Sequence, residues 1–98
     1  MSKIRKSARD KPCLVRLPGC NGDWSTTVHA HYRLAGYSGT GQKPRDSLGA
    51  RACSHCHDLV DGRIPYDGDR QVVRLAHAEG CLRTIAALAD EGLIEVVK

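Results

Sequence analysis

The chain has 98 residues, of which 41% are hydrophobic, and it carries a formal net charge of +4. This length accommodates one domain and no second core, and the hydrophobic share is too high for a disordered segment. No apolar run approaches the ~18 residues that cross a bilayer, and the first residues lack the apolar stretch of a secretory signal peptide. We therefore expect one cytoplasmic domain with no membrane-spanning segment.

The apolar core is expected to be marginal, because a chain of this length buries only roughly 60–65% of its unfolded surface. Small domains of this kind are usually stapled by disulfides or by a metal ion. Five cysteines and five histidines are available for such a staple. Thiols stay reduced in the cytoplasm, so paired cysteines there favour metal binding over disulfide formation.

Residues 1–12 form a basic arm, for which we predict one or two helical turns ended by Pro12. Within the first 16 residues, six basic side chains stand against Asp10 alone. This excess of positive charge suits a polyanion such as nucleic acid, and a solvated tail is the alternative on charge alone. The arm residues assigned to nucleic-acid binding are Arg5, Lys6 and Arg9.

Residues 13–62 are predicted to form the core. The predicted elements are, in chain order, a strand over residues 13–17, a strand over residues 26–34, a glycine-rich loop over residues 36–44 and a helix over residues 54–60. Ser54 is the expected N-cap of that helix, and Gly62 is expected to end it.

Residues 70–98 are predicted to form a C-terminal helix and a short strand. Apolar residues recur at helical spacing from about residue 70 to residue 91, with a possible bend at Gly80 and an end at Gly92. Residues 93–97 are the predicted final strand. Cys81 lies within the helix, where a free cysteine behaves as a small buried hydrophobe.

Two pairs of cysteines predict a structural zinc site. Cys53 and Cys56 have C-x-x-C spacing, and Cys13 and Cys20 flank a Pro-Gly turn upstream. Two thiolates fill half of a tetrahedron, so the two pairs together complete one Zn²⁺ site. Disulfides and unligated core cysteines are the alternatives. A histidine (His29, His55 or His57) could also replace one of the thiols.

The histidines predict a second kind of site. His29 and His31 point to one face of the predicted strand, and His57 follows the second cysteine pair on the predicted helix. A strand histidine can take a proton from water near neutral pH, and a helix histidine can hold a divalent cation beside a phosphate. Surface or zinc-binding roles are the alternative for each of these histidines.

The order of these residues resembles the zinc-containing branch of the HNH nucleases and, more closely, the YbcO-like family of phage and prophage nucleases. The resemblance extends over nearly the whole chain. Several of the matching segments are specific, and the matches include Cys20-Asn21-Gly22, Ala30-His31, Lys43-Pro44, Cys53-Ser54 and Cys56-His57-Asp58. It implies an α+β fold with a small zinc-stapled ββα-metal (HNH or treble-clef-like) core and a long C-terminal helix. It also implies a metal-dependent endonuclease that hydrolyses phosphodiester bonds in DNA.

The resemblance assigns roles to individual residues. His31 matches the general base, and His57 matches the histidine on the helix that supplies a catalytic metal ligand. Asp46 is the nearest match to the central residue of the motif, although it lies seven residues before Cys53, where the usual interval is about five. The four cysteines of the two pairs match the structural zinc ligands.

The residue before the general base departs from the common HNH pattern. Many HNH enzymes have an acidic residue or histidine there as a metal ligand, whereas this chain has Ala30, as its closest family does. A catalytic Mg²⁺ or Mn²⁺ is then expected on His57 together with Asp58 or Asp61. His29 and His55 lie outside the pattern and are expected at the surface or at the rim of the zinc site.

Two functions follow from this sequence. In the nuclease, His31 activates water, while Arg33, Lys43 and backbone N–H groups of the glycine-rich loop hold flanking phosphates. The alternative is a zinc-ribbon module that binds nucleic acid or a protein and cuts nothing. A cleft shared by His31 and His57 would favour the nuclease.

Overall fold

The computed structural model describes residues 2–36 and 45–95. Its elements are, in chain order, α1 (Lys3–Ser7), a short 3₁₀ turn (Trp24–Thr26), β1 (Val28–His31), β2 (Gly49–Ala52), α2 (Ser54–Asp61) and α3 (Arg70–Asp90). This small α+β arrangement with a long C-terminal helix agrees with the expected class. Residues 37–44 of the predicted glycine-rich loop and residues 96–97 of the predicted final strand lie outside the described residues. In the described part of the chain, no helix has both the length and the apolar character needed to cross a membrane.

The sheet consists of two antiparallel strands. Val28 of β1 lies opposite Ala52 of β2, and His31 lies opposite Gly49. β1 falls within the strand predicted over residues 26–34. β2 was not predicted, because its four residues (Gly-Ala-Arg-Ala) lack the β-branched and aromatic side chains typical of strands. All four are nevertheless buried, since α3 packs against β2.

Close approach of α3 to the core depends on Gly80. A Cβ at this position would lie 3.1 Å from the Leu14 carbonyl oxygen, from Val15 Cα and from Ala50 Cβ. Such a contact is tighter than normal packing allows, so glycine lets the helix lie directly on the chain beneath it. The glycine therefore has a packing role in the middle of the predicted helix.

The bounds of α3 confirm the helix predicted over residues 70–91. Asp69 is the N-cap, and its carboxylate accepts a hydrogen bond from the Gln71 N–H at 2.9 Å. Gly92 follows the helix with a φ of 73°, a conformation that favours glycine. Cys81 is buried in this helix, as predicted, and burial raises the pKa of its thiol to about 11.

The first predicted strand, over residues 13–17, and the described part of the last one, over residues 93–95, are not strands. Residues 13–17 form a buried loop, in which the Leu14 N–H donates to the Arg51 carbonyl at 2.7 Å and Arg16 has a left-handed φ of 59°. Val15 and Leu17 belong to the hydrophobic core, so the apolar alternation reflects burial. Residues 93–95, the described part of the predicted final strand, contain no strand either.

The two shorter helices follow the sequence closely. α1 is the predicted turn of the basic arm, and the Ser2 hydroxyl caps it by accepting the Arg5 N–H at 3.1 Å. α2 begins at Ser54 as predicted, but its N-cap is Cys53, whose sulfur accepts the Cys56 N–H. Gly62 ends α2 with a φ of 77°, as predicted.

One ion pair with a buried arginine connects three elements. Arg51 of β2 is 2% exposed, and its guanidinium donates to both carboxylate oxygens of Glu91 at 2.9 and 2.8 Å. The same guanidinium donates to the Ser7 hydroxyl of α1 at 3.1 Å. Hydrogen bonds from Arg51 lower the pKa of Glu91, so this carboxyl stays ionised at neutral pH. The pair therefore ties the end of α3 to the sheet and to α1.

We predict that Glu91→Ala destabilises the fold by roughly 3 kcal/mol, because the substitution leaves the buried Arg51 charge without its partner. The measurement is the free energy of unfolding at a fixed zinc concentration. Glu95→Ala is the matched control, since Glu95 is exposed near the same end of the chain. Equal stability of the two variants would show that the ion pair does not hold α3 in place.

Candidate functional site

Four cysteines converge at the start of α2. Cys13 and Cys20 come from the loop before β1, Cys53 caps α2 and Cys56 lies in its first turn. Their sulfur atoms all lie within 4.8 Å of one another, and those of Cys20 and Cys53 are 3.6 Å apart. A zinc tetrahedron with Zn–S bonds of about 2.3 Å has edges of about 3.8 Å. The cluster thus has the size and the donor set of the predicted site.

Backbone N–H groups point at all four sulfur atoms. Cys13 receives hydrogen bonds from the amides of Arg16, Cys53 and Val15. The Cys56 amide donates to Cys53, that of Gly22 to Cys20, and that of Leu17 to Cys56. Such bonds favour thiolates, which are the form that binds metal. The left-handed conformation of Arg16 belongs to this loop, which wraps its amides around Cys13.

The charges of the cluster are strongly coupled. A hydrogen bond with Cys56 is the main cause that lowers the pKa of Cys13 to about 4. The same bond and burial raise the pKa of Cys56, and repulsion between the two thiolates adds to this rise. A divalent cation among the four sulfur atoms would remove this repulsion. All five cysteines are free thiols, so the disulfide alternative does not describe this structure.

His55 lies at the edge of the cysteine cluster. Its imidazole covers Gly19, the turn residue before Cys20, where an added Cβ would come within 2.6 Å of the histidine Nε2. Gly19 also has a φ of 86°, so glycine is required there by both space and backbone conformation. This placement agrees with a rim role for His55.

His31, at the end of β1, is paired with Asp46. The His31 Nε2 lies 2.8 Å from Asp46 Oδ1, and both side chains are about a quarter exposed. Hydrogen bonds from the Ser2 hydroxyl and from His31 lower the pKa of Asp46, so its carboxylate accepts and the His31 Nε2 donates. With a proton on Nε2, the nitrogen that can accept a proton is Nδ1. The structure thus brings His31 together with Asp46, the residue whose spacing to Cys53 departs from the usual interval.

His29 holds the backbone of Asp46. It was expected at the surface or at the rim of the zinc site and does not lie there. Its Nε2 donates to the Asp46 carbonyl oxygen at 2.7 Å, and its ring meets the His31 ring edge-on at 5.1 Å. Burial lowers the pKa of His29, which favours the neutral donor. A Cβ at Gly49 would overlap the His29 imidazole, so a larger residue at the start of β2 would displace this ring from Asp46.

His57 and Asp61 share one face of α2. The His57 Nε2 lies 3.1 Å from Asp61 Oδ2, at i,i+4 spacing. Asp61 lines a cavity of about 90 Å³ together with His31, whereas His57 and Asp58 do not line it. Both Asp58 and Asp61 pair with the exposed Arg63. Across residues 2–36 and 45–95, the cysteine cluster is the only group of three or more metal-binding side chains that lie close together. The second site therefore offers His57 and Asp61 as two candidate ligands.

His77 was not singled out from the sequence. It is buried on α3, its Nε2 lies 3.0 Å from the Ala30 carbonyl oxygen, and it lines the cavity that contains His31. Burial lowers its pKa, so the ring is a neutral donor to that carbonyl. Its helical spacing from the apolar positions Val73, Cys81 and Leu88 was the available signal for a buried residue.

The basic residues assigned to nucleic acid lie in two places. Arg5, Lys6 and Arg9 line a groove of about 230 Å³ beside His29, and the Arg5 Nε lies 3.6 Å from Asp46 Oδ1. Arg33 lines the cavity of His31 and Asp61. Lys43 lies outside the described residues.

Comparison with known proteins identifies close relatives. The pattern that defines the family described as "Putative nuclease YbcO" matches residues 2–93. The chain is similar to the "Putative nuclease YbcO" of Escherichia coli strain K12, with 44% identity over 96 residues that cover 97% of this chain and 99% of that protein. The "Putative nuclease ybcO" of Enterobacteria phage 82 matches with the same identity and coverage.

A solved structure is also similar to the chain. It is described as "Structure of a putative bacteriophage protein from Escherichia coli str. K-12 substr. MG1655" and matches with a TM-score of 0.77 and 40% sequence identity. The match covers 92% of this chain and 100% of that one.

We predict one Zn²⁺ per chain and loss of that metal in Cys20→Ser, because three thiolates and a hydroxyl form a poor zinc site. Binding of this metal is expected to contribute on the order of 10 kcal/mol to folding, so the variant should be largely unfolded. Elemental analysis and circular dichroism are the measurements. Cys81→Ala is the control, and it should keep its zinc because Cys81 lies outside the cluster. A wild-type protein purified without chelators that contains no zinc would contradict the assignment.

Proposed function

The chain belongs to the YbcO putative nuclease family, and we propose that it is a metal-dependent endonuclease of the HNH type acting on DNA. The succession β1–β2–α2, with a cysteine cluster at the start of the helix, supports a ββα-metal core with structural zinc. The observation that carries the proposal is the hydrogen bond between His31 and Asp46 beside a cavity lined by Asp61.

His31 is the proposed general base. The ionised Asp46 accepts a hydrogen bond from the His31 Nε2, which orients the imidazole ring. The His31 Nδ1 is then left to accept a proton from the attacking water. Asp46 also stabilises the imidazolium that forms when the proton is taken. His29 holds the backbone of Asp46 and so fixes the direction of that carboxylate. A base of this kind acts in the transition state and adds little to substrate affinity.

His57 and Asp61 are the proposed ligands of the catalytic metal. A bound Mg²⁺ or Mn²⁺ would stabilise negative charge on the phosphate and on the departing 3′ oxygen. Two protein ligands suffice for a cation that keeps several waters and binds the substrate phosphate directly. Asp61 is preferred to Asp58 because Asp61 faces the cavity of His31. Ala30 is buried and cannot contribute a ligand.

Cations around this centre are proposed to hold the substrate. Arg33 lies in the wall of the cavity, and the groove of Arg5, Lys6 and Arg9 lies beside His29. Lys43 remains assigned to a flanking phosphate on the basis of the sequence. Most of the affinity supplied by such contacts is independent of base sequence and sensitive to salt.

A zinc-containing module that binds nucleic acid without cutting is the second candidate. The absence of a third metal-binding side chain near His57 and Asp61, among the residues whose positions are described, favours it. This candidate predicts the same zinc site and the same salt-sensitive binding. Only the cleavage reaction separates the two.

We predict that His31→Ala lowers the cleavage rate by about 10²–10⁴-fold and leaves zinc content and DNA affinity nearly unchanged, because the base contributes to the transition state alone. The measurement is a nicking assay with Mg²⁺ or Mn²⁺ on duplex, branched and single-stranded DNA. His55→Ala is the matched control and should cut at the wild-type rate, since His55 lies away from this cavity.

Two results would contradict the mechanism. Equal rates for wild type and His31→Ala would exclude His31 as the base. A wild-type protein that binds DNA but cuts none of these forms with either metal would favour the binding module.

We predict that replacing Lys3, Arg5, Lys6 and Arg9 by glutamine makes the log–log salt dependence of duplex binding less steep by ~3.6, because four phosphate contacts are lost. Ser2 is left in place, since its hydroxyl caps α1 and bonds Asp46. The measurement is the dissociation constant over a range of salt concentrations, with zinc content as the folding control. An unchanged slope would mean that the arm is a solvated tail.

A further inference from the structure

Arg74 of α3 is held in a fixed position next to the candidate base. Its guanidinium carbon lies 4.7 Å from the centre of the Tyr32 ring, the residue that directly follows His31. The Tyr32 ring in turn contacts the His77 ring, with 5.0 Å between the centroids. His77 is hydrogen-bonded to the backbone of β1. A stack of side chains anchored on β1 therefore positions the Arg74 charge before any ligand binds.

Arg74 also forms a wall shared by two neighbouring cavities. The smaller cavity, of about 90 Å³, contains His31, Arg33 and Asp61. The larger cavity, of about 230 Å³, contains Arg70 and Gln71. Arg74 lines both of them. The two cavities are therefore adjacent and share Val60, Arg74 and His77 as lining residues.

The cations that line these two cavities are not neutralised by the protein. No carboxylate oxygen of the described residues lies within 4.0 Å of the guanidinium nitrogens of Arg33, Arg70 or Arg74. Other arginines have such partners: Arg5, Arg51 and Arg63 pair with Asp46, Glu91 and Asp58 respectively. Asp61, the acidic residue of the smaller cavity, is bonded to His57 and Arg63 instead. Three positive charges therefore face open space on one side of the candidate site.

Arg70 extends this positive surface along the helix. It lies one turn before Arg74, a spacing that brings two side chains to one face. One of its guanidinium nitrogens donates to the Leu59 carbonyl at 2.9 Å, which holds the side chain over the end of α2. Its remaining N–H groups are available to an acceptor. Guanidinium groups bind phosphate oxygens through two parallel hydrogen bonds, so two fixed arginines on one face suit a phosphodiester backbone.

We propose that Arg74 and Arg70 form a phosphate-binding site for the nucleic-acid backbone, adjacent to the phosphate that is cut. This inference rests on the proposed function for the location of the reaction centre. Arg70 is separated from His31 by the Arg74 wall, so the pair binds a flanking phosphate and acts on affinity. The proposed site lies on α3. The arm residues that the sequence assigns to nucleic-acid binding line a different groove, beside β1.

The experiment measures binding of a short DNA duplex by the full chain, with no Mg²⁺ or Mn²⁺ added, between about 50 and 200 mM salt. Arg74→Gln should make the log–log salt slope less steep by ~0.9, the value for one lost phosphate contact. Arg74→Lys should restore the slope, because it restores the charge. Arg16→Gln is the matched control, since Arg16 is an exposed arginine on the cysteine loop, away from both cavities.

The outcomes separate this inference from the nuclease proposal. If wild type binds DNA and Arg74→Gln has the same slope as Arg16→Gln, the phosphate site is wrong whether or not the protein cuts. If Arg74→Gln changes the slope but no DNA is cut under any condition, the phosphate site stands and the nuclease proposal fails. If wild type binds no DNA, both are wrong. Zinc content confirms that each variant is folded.

Discussion

The meeting of four thiols at the start of α2 is the constraint on which the rest of the molecule depends. Two of them belong to a loop with no regular structure, and two belong to the turn that converts β2 into α2. Their convergence fixes the loop against the helix and fixes the direction in which α2 leaves the sheet. That direction places Asp61 in the same cavity as His31. A domain with so few large apolar side chains in its core has little else to hold these parts in register.

The parts of the fold that could be predicted are those whose signal is local. Helix period and the glycines that end helices are properties of short segments, and they located α2 and α3 to within one or two residues. β2 could not be found in this way, because Gly-Ala-Arg-Ala has no strand preference and is buried only by a helix that follows much later. The strand predicted over residues 13–17 failed for the opposite reason. The apolar residues that alternate in this segment are buried, as in a strand. The backbone nevertheless turns at Arg16, which directs amide groups at Cys13.

The candidate site also combines features that have a local sequence signal with features that have none. The cysteine pairs were predictable because ligand number and spacing identify a tetrahedral site. The contact of His31 with Asp46 depends on the pairing of β1 with β2, and β2 has no strand signal in its sequence, so this contact required the structure. His29 bonds to the backbone oxygen of Asp46, an atom that every residue has. The amino-acid sequence therefore does not predict this hydrogen bond. Arg74 is positioned by its contact with the Tyr32 ring. The two residues are far apart in the sequence, so no local pattern predicts this contact.

The ion pair of Arg51 with Glu91 has a consequence for biosynthesis. The ribosome synthesises the chain from its N-terminus. The four cysteines of the cluster therefore emerge well before Glu91, since the last of them is Cys56. The four thiols can therefore meet while the guanidinium of Arg51 is still hydrated. Glu91, the residue that follows α3, carries the carboxylate that offsets desolvation of this guanidinium. Burial of Arg51 with its partner thus has to wait for the last residues of α3, whereas convergence of the cysteines does not.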